Sequence, residues 1–395
     1  MTEPKLRFKR EDRMEYPEWE ELTMDDIFTE INEKDRADLP VLSILQGQGT
    51  VYRDSSDRNI MYDKKSTINY KAMKKGDFII HLRTFEGGLE CATLDGISSP
   101  AYKILRTNKL IPEAYKGYFR SKQFIDGRLA IAVTGVRDGK NIEMSTFWQI
   151  TVPVPCLEEQ QKIADFFSAI DEVIAQSEAE AQNLEQQKKA AMQKIFSQEV
   201  RFKREDGTEF PEWESYKIGD LFYKVNERNN GQFDKTKWIS VAKMYYQIPD
   251  KVTSNNIDTR TYVMRLGDMA FEGHPNSEFL FGRFVVNDIG DGVISELFPV
   301  YRHKTDYVLK YWKYAIQIES VMAHIYRRSI TSSGASSNKL NDDDFLNESI
   351  LVPCLEEQQK IADFLSAYDE TIGYAKQELD KWKELKKGLL QKMFV

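Results

Sequence analysis

The sequence has little of what marks stapled, metal-bound or membrane-inserted chains. Its three cysteines (Cys91, Cys156 and Cys354 in 395 residues) stand far apart and form no CxxC pair. That spacing excludes a disulfide framework and a zinc site and suits a reducing cytosol. No apolar run approaches the ~20 residues needed to cross a bilayer, so no membrane partner is expected. Met1-Thr2-Glu3-Pro4-Lys5 is polar and lacks the apolar stretch of a signal peptide, and the expected location is cytoplasmic. His81, His274, His303 and His324 are scattered without ligand spacing, and a structural role is expected for each. The amino-methyltransferase signatures Asn/Asp-Pro-Pro-Tyr/Phe and Phe-x-Gly-x-Gly are absent. The phosphate loop GxxxxGK[ST] is absent too, its nearest approach being the misspaced segment Gly135–Asn141.

What is present is ordinary for a globular chain: 41% hydrophobic, 30% charged and 12% aromatic residues, enough for two or three domains. The net charge of −8 is unevenly spread. Residues 51–150 hold 17 Lys and Arg against 11 Asp and Glu, whereas residues 1–50 hold 7 against 13. Residues 157–196 hold 4 against 8. Affinity for phosphate follows the local field rather than the total.

A repeat dominates the chain. Residues 155–172 read PCLEEQQKIADFFSAIDE and residues 353–370 read PCLEEQQKIADFLSAYDE, identical at 16 of 18 positions. Residues 7–20 (RFKREDRMEYPEWE) and 201–214 (RFKREDGTEFPEWE) agree at 11 of 14. A unit of about two hundred residues is therefore written twice, in permuted order. The permutation predicts that the segment 1–21 closes the repeat near the C-terminus, around a pseudo-twofold axis. Between the repeated blocks the copies diverge, with scattered matches such as Gly76-Asp77 and Gly267-Asp268. Short apolar runs broken by Gly, Asn, Asp and Pro predict mixed α/β globules over 22–154 and 200–352.

Long helices are predicted within 155–199 and 353–395. Leu157 to Phe196 contains no Gly or Pro, and Glu158 and Glu159 stand where the helix dipole favours negative charge. Ile170, Ile174, Ser177, Ala181, Leu184, Lys188, Ala191 and Ile195 step alternately by four and three. So do Tyr368, Ile372, Ala375, Leu379, Trp382, Lys386, Leu389 and Met393. That period is a coiled-coil seam, expected to be antiparallel. The lysines and small residues make it weak. Phe166, Phe167, Val173, Leu365 and Leu385 lie off the seam, where they either dock helices of a partner or cover the bases of the globules.

The block Pro-x-Leu-x-Glu-Gln-x-x-Ile-Ala (Pro155–Ala164 and Pro353–Ala362), leading to a helix ending Leu-Leu-Gln-Lys-Met-Phe, resembles the spacer regions of type I restriction–modification specificity subunits. The resemblance covers essentially the whole chain; Cys156 and Cys354 after the prolines are not required by it. It implies two target-recognition domains, each reading half of a bipartite, asymmetric double-stranded DNA site. Two methyltransferase subunits would dock on the spacer, and restriction subunits would join the full complex. It also implies a chain with no catalytic residue, metal or cofactor of its own, S-adenosylmethionine, Mg2+ and ATP being used by the partners. An assembly scaffold without base reading is the alternative, and the divergence of the two globules speaks against it.

Base readout calls for Arg, Lys, Asn, Gln, Ser or Thr on exposed loops. Two such loops precede the spacers: Thr134–Asn141, with Arg137, Lys140 and Asn141, and Arg327–Lys339, with Arg327, Arg328, Ser333, Asn338 and Lys339. Arg83 and Thr84, and His274 and Asn276, follow the matching Gly-Asp turns and are candidates for a second pair of DNA-contacting loops. A solvated turn is the competing reading of each. Trp19 and Trp213 are expected to pack at the domain–helix junctions.

Overall fold

The computed structural model describes residues 4–53, 64–81, 87–135, 140–254, 256–277, 279–332 and 337–394. The chain forms two units, one of residues 1–179 and 376–395, the other of residues 180–375. In the first unit, strands β1 (Thr29–Ile31), β2 (Phe78–His81), β3 (Glu90–Cys91) and β4 (Tyr102–Arg106) form an antiparallel sheet in the order β1-β4-β2-β3. In the second unit, β5 (Phe222–Val225), β6 (Met269–Glu272), β7 (Arg283–Val286) and β8 (Val300–His303) form the order β5-β8-β6-β7. The topology is the same although the sequences have diverged. Both faces of each sheet are covered. Phe78 and Ile80 face the main core while Ile79 faces a smaller one; Met269 and Phe271 are likewise opposed to Ala270. Burial on both faces explains runs that are continuously apolar rather than alternating.

The matching Gly-Asp pairs make matching turns. Gly76 and Gly267 sit at φ 90° and 88°, a region that favours glycine. Asp77 then accepts from the Lys74 amide at 2.7 Å and takes Arg106 in a fork at 2.8 and 2.7 Å. Asp268 does the same with the Arg265 amide and with Arg302.

In each unit one buried carboxylate of the long helix ties down the repeated Arg-Phe-Lys-Arg-Glu-Asp to Pro-Glu-Trp-Glu segment. Glu159, fully buried, accepts from Arg7 Nε and Nη2 at 3.1 and 2.8 Å and from Trp19 Nε1 at 2.9 Å. Glu357 accepts from Arg201 Nε and Nη2 at 3.3 and 2.9 Å and from Trp213 Nε1 at 3.1 Å. Gln160 and Gln358, also buried, each donate to the carbonyl five residues back, at 2.9 Å. Both tryptophans are buried as expected, with an indole hydrogen bond that the sequence did not suggest. The N-terminal block lies against the end of the chain in the first unit: Leu6 N donates to Lys392 O at 3.1 Å, and Phe394 packs on Trp19, Tyr115 and Tyr118. Phe196 packs on Trp213 and Tyr311 in the second unit.

The long helices are α1 (Leu157–Phe196) and α2 (Leu355–Met393). The division between units falls inside each helix, because each half-helix packs with its own globule. In the first unit Lys386 pairs with Asp171 and Lys383 pairs with Glu178 at 2.6 Å, so the half-helices run antiparallel. Lys188 pairs with Asp369 at 2.6 Å in the second. Every predicted seam residue is buried or half-buried, down to the lysines. No helix among the described residues is long and apolar enough to cross a membrane.

Candidate nucleic-acid interface

Upstream of each spacer, the described ends of the candidate loop form a short antiparallel strand pair. Val133–Thr134 pairs with Asn141–Ile142, and buried Ile142 anchors the ribbon to the core. Lys140 and Asn141 are exposed, and the Asn141 side-chain oxygen Oδ1 accepts from the Ile142 amide at 3.0 Å. Glu143 accepts from Ser145 and Thr146 at 3.1 and 3.0 Å, and the short helix Met144–Trp148 leads into strand Thr151–Val154 and then α1. Arg137 lies outside the described residues, as do Arg83 and Thr84.

The second unit repeats this order. Helix Glu319–Ser329 ends in Arg327 and Arg328, cations where the helix dipole favours them. Ile330–Ser332 then pairs with Asn338–Leu340, followed by helix Asp342–Asn347, strand Ser349–Val352 and α2. Ser333 lies outside the described residues. Arg327 and Lys339 are exposed, and among the described residues neither head group makes an ion pair. Arg328 reaches Glu348 at 3.4 Å, with most of its side chain in solvent, so that ion pair adds little.

Two candidate loops that are distant in sequence meet in this unit. Asn338 N donates to Gly273 O at 2.8 Å, and a Cβ at Gly273 would stand 2.1 Å from Asn338 O. Glycine is therefore required for the hairpin to lie against the loop that carries His274 and Asn276. His274 is exposed, with Nδ1 2.5 Å from Oε1 of buried Glu272. The Asn276 carbonyl oxygen accepts from the Phe279 amide at 2.8 Å, so half of its side-chain chemistry holds the loop together. The contact sets half-buried Asn338 against the backbone directly before exposed His274, with exposed Lys339 next along the strand. Gly273 was the missed residue; only its place directly before His274-Pro275 could have drawn attention to it.

The partner-docking candidates divide. Phe167 (2% exposed) and Leu365 (0%) belong to the cores of their units, so the alternative reading, covering the bases of the globules, holds for them. Their position one helical face away from the seam turns them under the sheet. Phe166 is half-buried edge-on to Phe8 at 5.4 Å, and Val173 is half-buried. Leu385 is 48% exposed. Sequence reasoning missed Leu157, Leu355 and Tyr374, which are more than two-fifths exposed on the same helices.

Similarity to known proteins agrees with this geometry. The type I restriction modification DNA specificity domain matches residues 17–186 and again residues 211–384. A type I restriction enzyme MjaVIII specificity subunit from Methanocaldococcus jannaschii is 23% identical over 313 residues, 74% of this chain and 72% of that protein. The fold is shared with a chain from a structure concerned with complex assembly and conformational transition of the type I R-M system (TM-score 0.59, 16% identity, 96% and 98% of the two chains). It is also shared with the S subunit of a type I restriction–modification system from M. genitalium (TM-score 0.51, 12% identity, 100% and 99%). With the domain matched twice over most of its length, the chain belongs to the type I restriction–modification DNA specificity family.

Proposed function

We propose that this chain reads DNA for a type I restriction–modification complex, each unit contacting one half of a bipartite, asymmetric double-stranded site. The observation that carries the reading is the pair of exposed hairpins. Each stands at the same place in its unit, each bears basic and amide side chains, and the two differ in sequence. Base-edge readout needs such donors, and two different half-sites need two different heads. The length of α1 and α2, each of which contributes to both units, sets the gap between half-sites, and the helices offer Leu385, Leu157, Leu355 and Tyr374 to two methyltransferase subunits. The chemistry lies with partners: methyl transfer from S-adenosylmethionine in those subunits, and ATP- and Mg2+-dependent cleavage in the restriction subunits. This chain acts without a cofactor.

Co-expression with the neighbouring modification subunit, followed by single-molecule sequencing of host DNA for modified bases, tests the reading. The expected result is a split, asymmetric motif with a fixed gap. An unmodified genome despite an active modification subunit, with no stable complex recovered, favours an assembly scaffold instead.

A further inference from the structure

Beside the sheet of each unit a hairpin turn is held from beneath by an arginine. In the first unit, strands Leu42–Leu45 and Gly49–Tyr52 flank the turn, and Arg120 Nη1 donates to Gly47 O at 3.2 Å. Glu90 completes the clamp, accepting from the Gly47 amide at 2.8 Å and pairing with Arg120 at 3.2 Å. In the second unit, Ile239–Ser240 and Tyr245–Tyr246 flank the turn, and Arg283 Nη2 donates to Ala242 O at 2.5 Å. Both turns contain a residue at positive φ, Gly47 at 87° and Met244 at 46°. A non-glycine residue held there costs free energy, and such strain persists where the surroundings enforce it.

The turns share a place but not a chemistry. Gln46, Gly47 and Gln48 are exposed in one; Ala242 and Lys243 are exposed in the other. The first turn touches Gly87, and the second is held by the strand that closes the loop carrying His274 and Asn276. A Cβ at Gly87 would stand 2.8 Å from Gln46 Nε2, and Gly87 directly follows the segment bearing Arg83 and Thr84. Arg283 closes the loop that carries His274 and Asn276, its Nε lying 3.9 Å from Glu272. Residues 228–251 contain five Lys or Arg against two Asp, and among the described residues Lys243 makes no ion pair. A clamped carbonyl fixes the turn before any ligand arrives, which lowers the ordering cost of binding.

We propose that the arginine-held turn is a further DNA-contacting element in each unit: Gln46 and Gln48 meet base edges in the first, and Lys243 meets a backbone phosphate in the second. Glutamine amides match the donor–acceptor pair of adenine in the major groove, whereas a lysine is a point charge suited to phosphate. Arg120 and Arg283 are positioning residues. The proposal rests on the DNA-reading function above.

The test uses the full chain assembled with its modification subunits. Binding is measured over a range of salt to a duplex with the mapped site and to one with scrambled half-sites. Lys243→Ala should weaken both duplexes alike and lower the slope of log affinity against log salt by about 0.9, with Lys243→Arg restoring it. Gln46→Ala with Gln48→Ala should cut discrimination at the first half-site by about 5- to 150-fold with the slope unchanged. Lys339→Ala, on the hairpin, is the reference. If it weakens binding while the turn variants leave slope and discrimination untouched, the proposal is overturned and the reading of the hairpins stands. If all of them are silent, the DNA-reading function itself fails.

Discussion

At Glu159 and Glu357 a carboxylate without solvent contact answers one arginine and one indole, and each globule is tied to its helix through it. Removing one partner of a buried charge pair strands the other, at a cost of about 3–5 kcal/mol. Glu159→Ala should therefore destabilise the first unit by that amount, and Glu357→Ala the second. Hydrogen exchange should show amide protection lost in the mutated unit alone; equal loss in both would contradict separate anchors. His303 supplies a pH-dependent case. Its ring is stacked on Tyr307 at 3.8 Å and against Phe222 at 4.0 Å, Nδ1 has no hydrogen-bond partner among the described residues, and burial depresses its pKa to about 3. The unfolded chain binds this proton near pH 6.5 and the folded chain does not, so stability is full above that pH and falls as acid is added. Between pH 7.5 and 5.5 the loss is about 1 kcal/mol, and His303→Phe should flatten that slope in thermal melts. Neither role was legible in sequence. A first-turn glutamate reads as a partner of the helix dipole, and only the fold turns Glu159 inward.

Among the elements, the helices were the most legible, because alternating steps of three and four leave a periodic trace that tertiary contacts only had to accept. The lysines on the seam looked like weaknesses. Asp171 and Asp369, at equivalent places in the repeat, stand opposite Lys386 and Lys188 and complete them. Gly373 and Gly388 lie inside α2 with open space where a Cβ would be. Replacing each by alanine should raise stability by roughly 0.5–1 kcal/mol, since glycine loses more backbone freedom in a helix. Calorimetry should show a higher Tm; a fall in either variant would mean the helix needs its glycine. The sheets were less legible. Their short runs are apolar on both faces, so period two is lost and a strand cannot be told from a short buried helix.

For the whole molecule, the proposed function makes helix length a measure of the DNA gap. Lengthening α1 by one turn adds about 5.4 Å, or between one and two base-pair steps of about 3.4 Å. Methylome sequencing should find the gap changed and the half-site bases unaltered. Altered bases with the same gap would sink the idea.

The amino-acid sequence by itself determined that a unit is written twice in permuted order, that each copy ends in a long amphipathic helix, and that the heads differ. These properties reside in identity and periodicity, which local chemistry records. Tertiary structure alone decided where the units divide, which of Phe167, Leu365 and Leu385 remain outside, and that Asn338 meets Gly273. Those outcomes depend on contacts between residues far apart in the chain, whose direction no local pattern encodes.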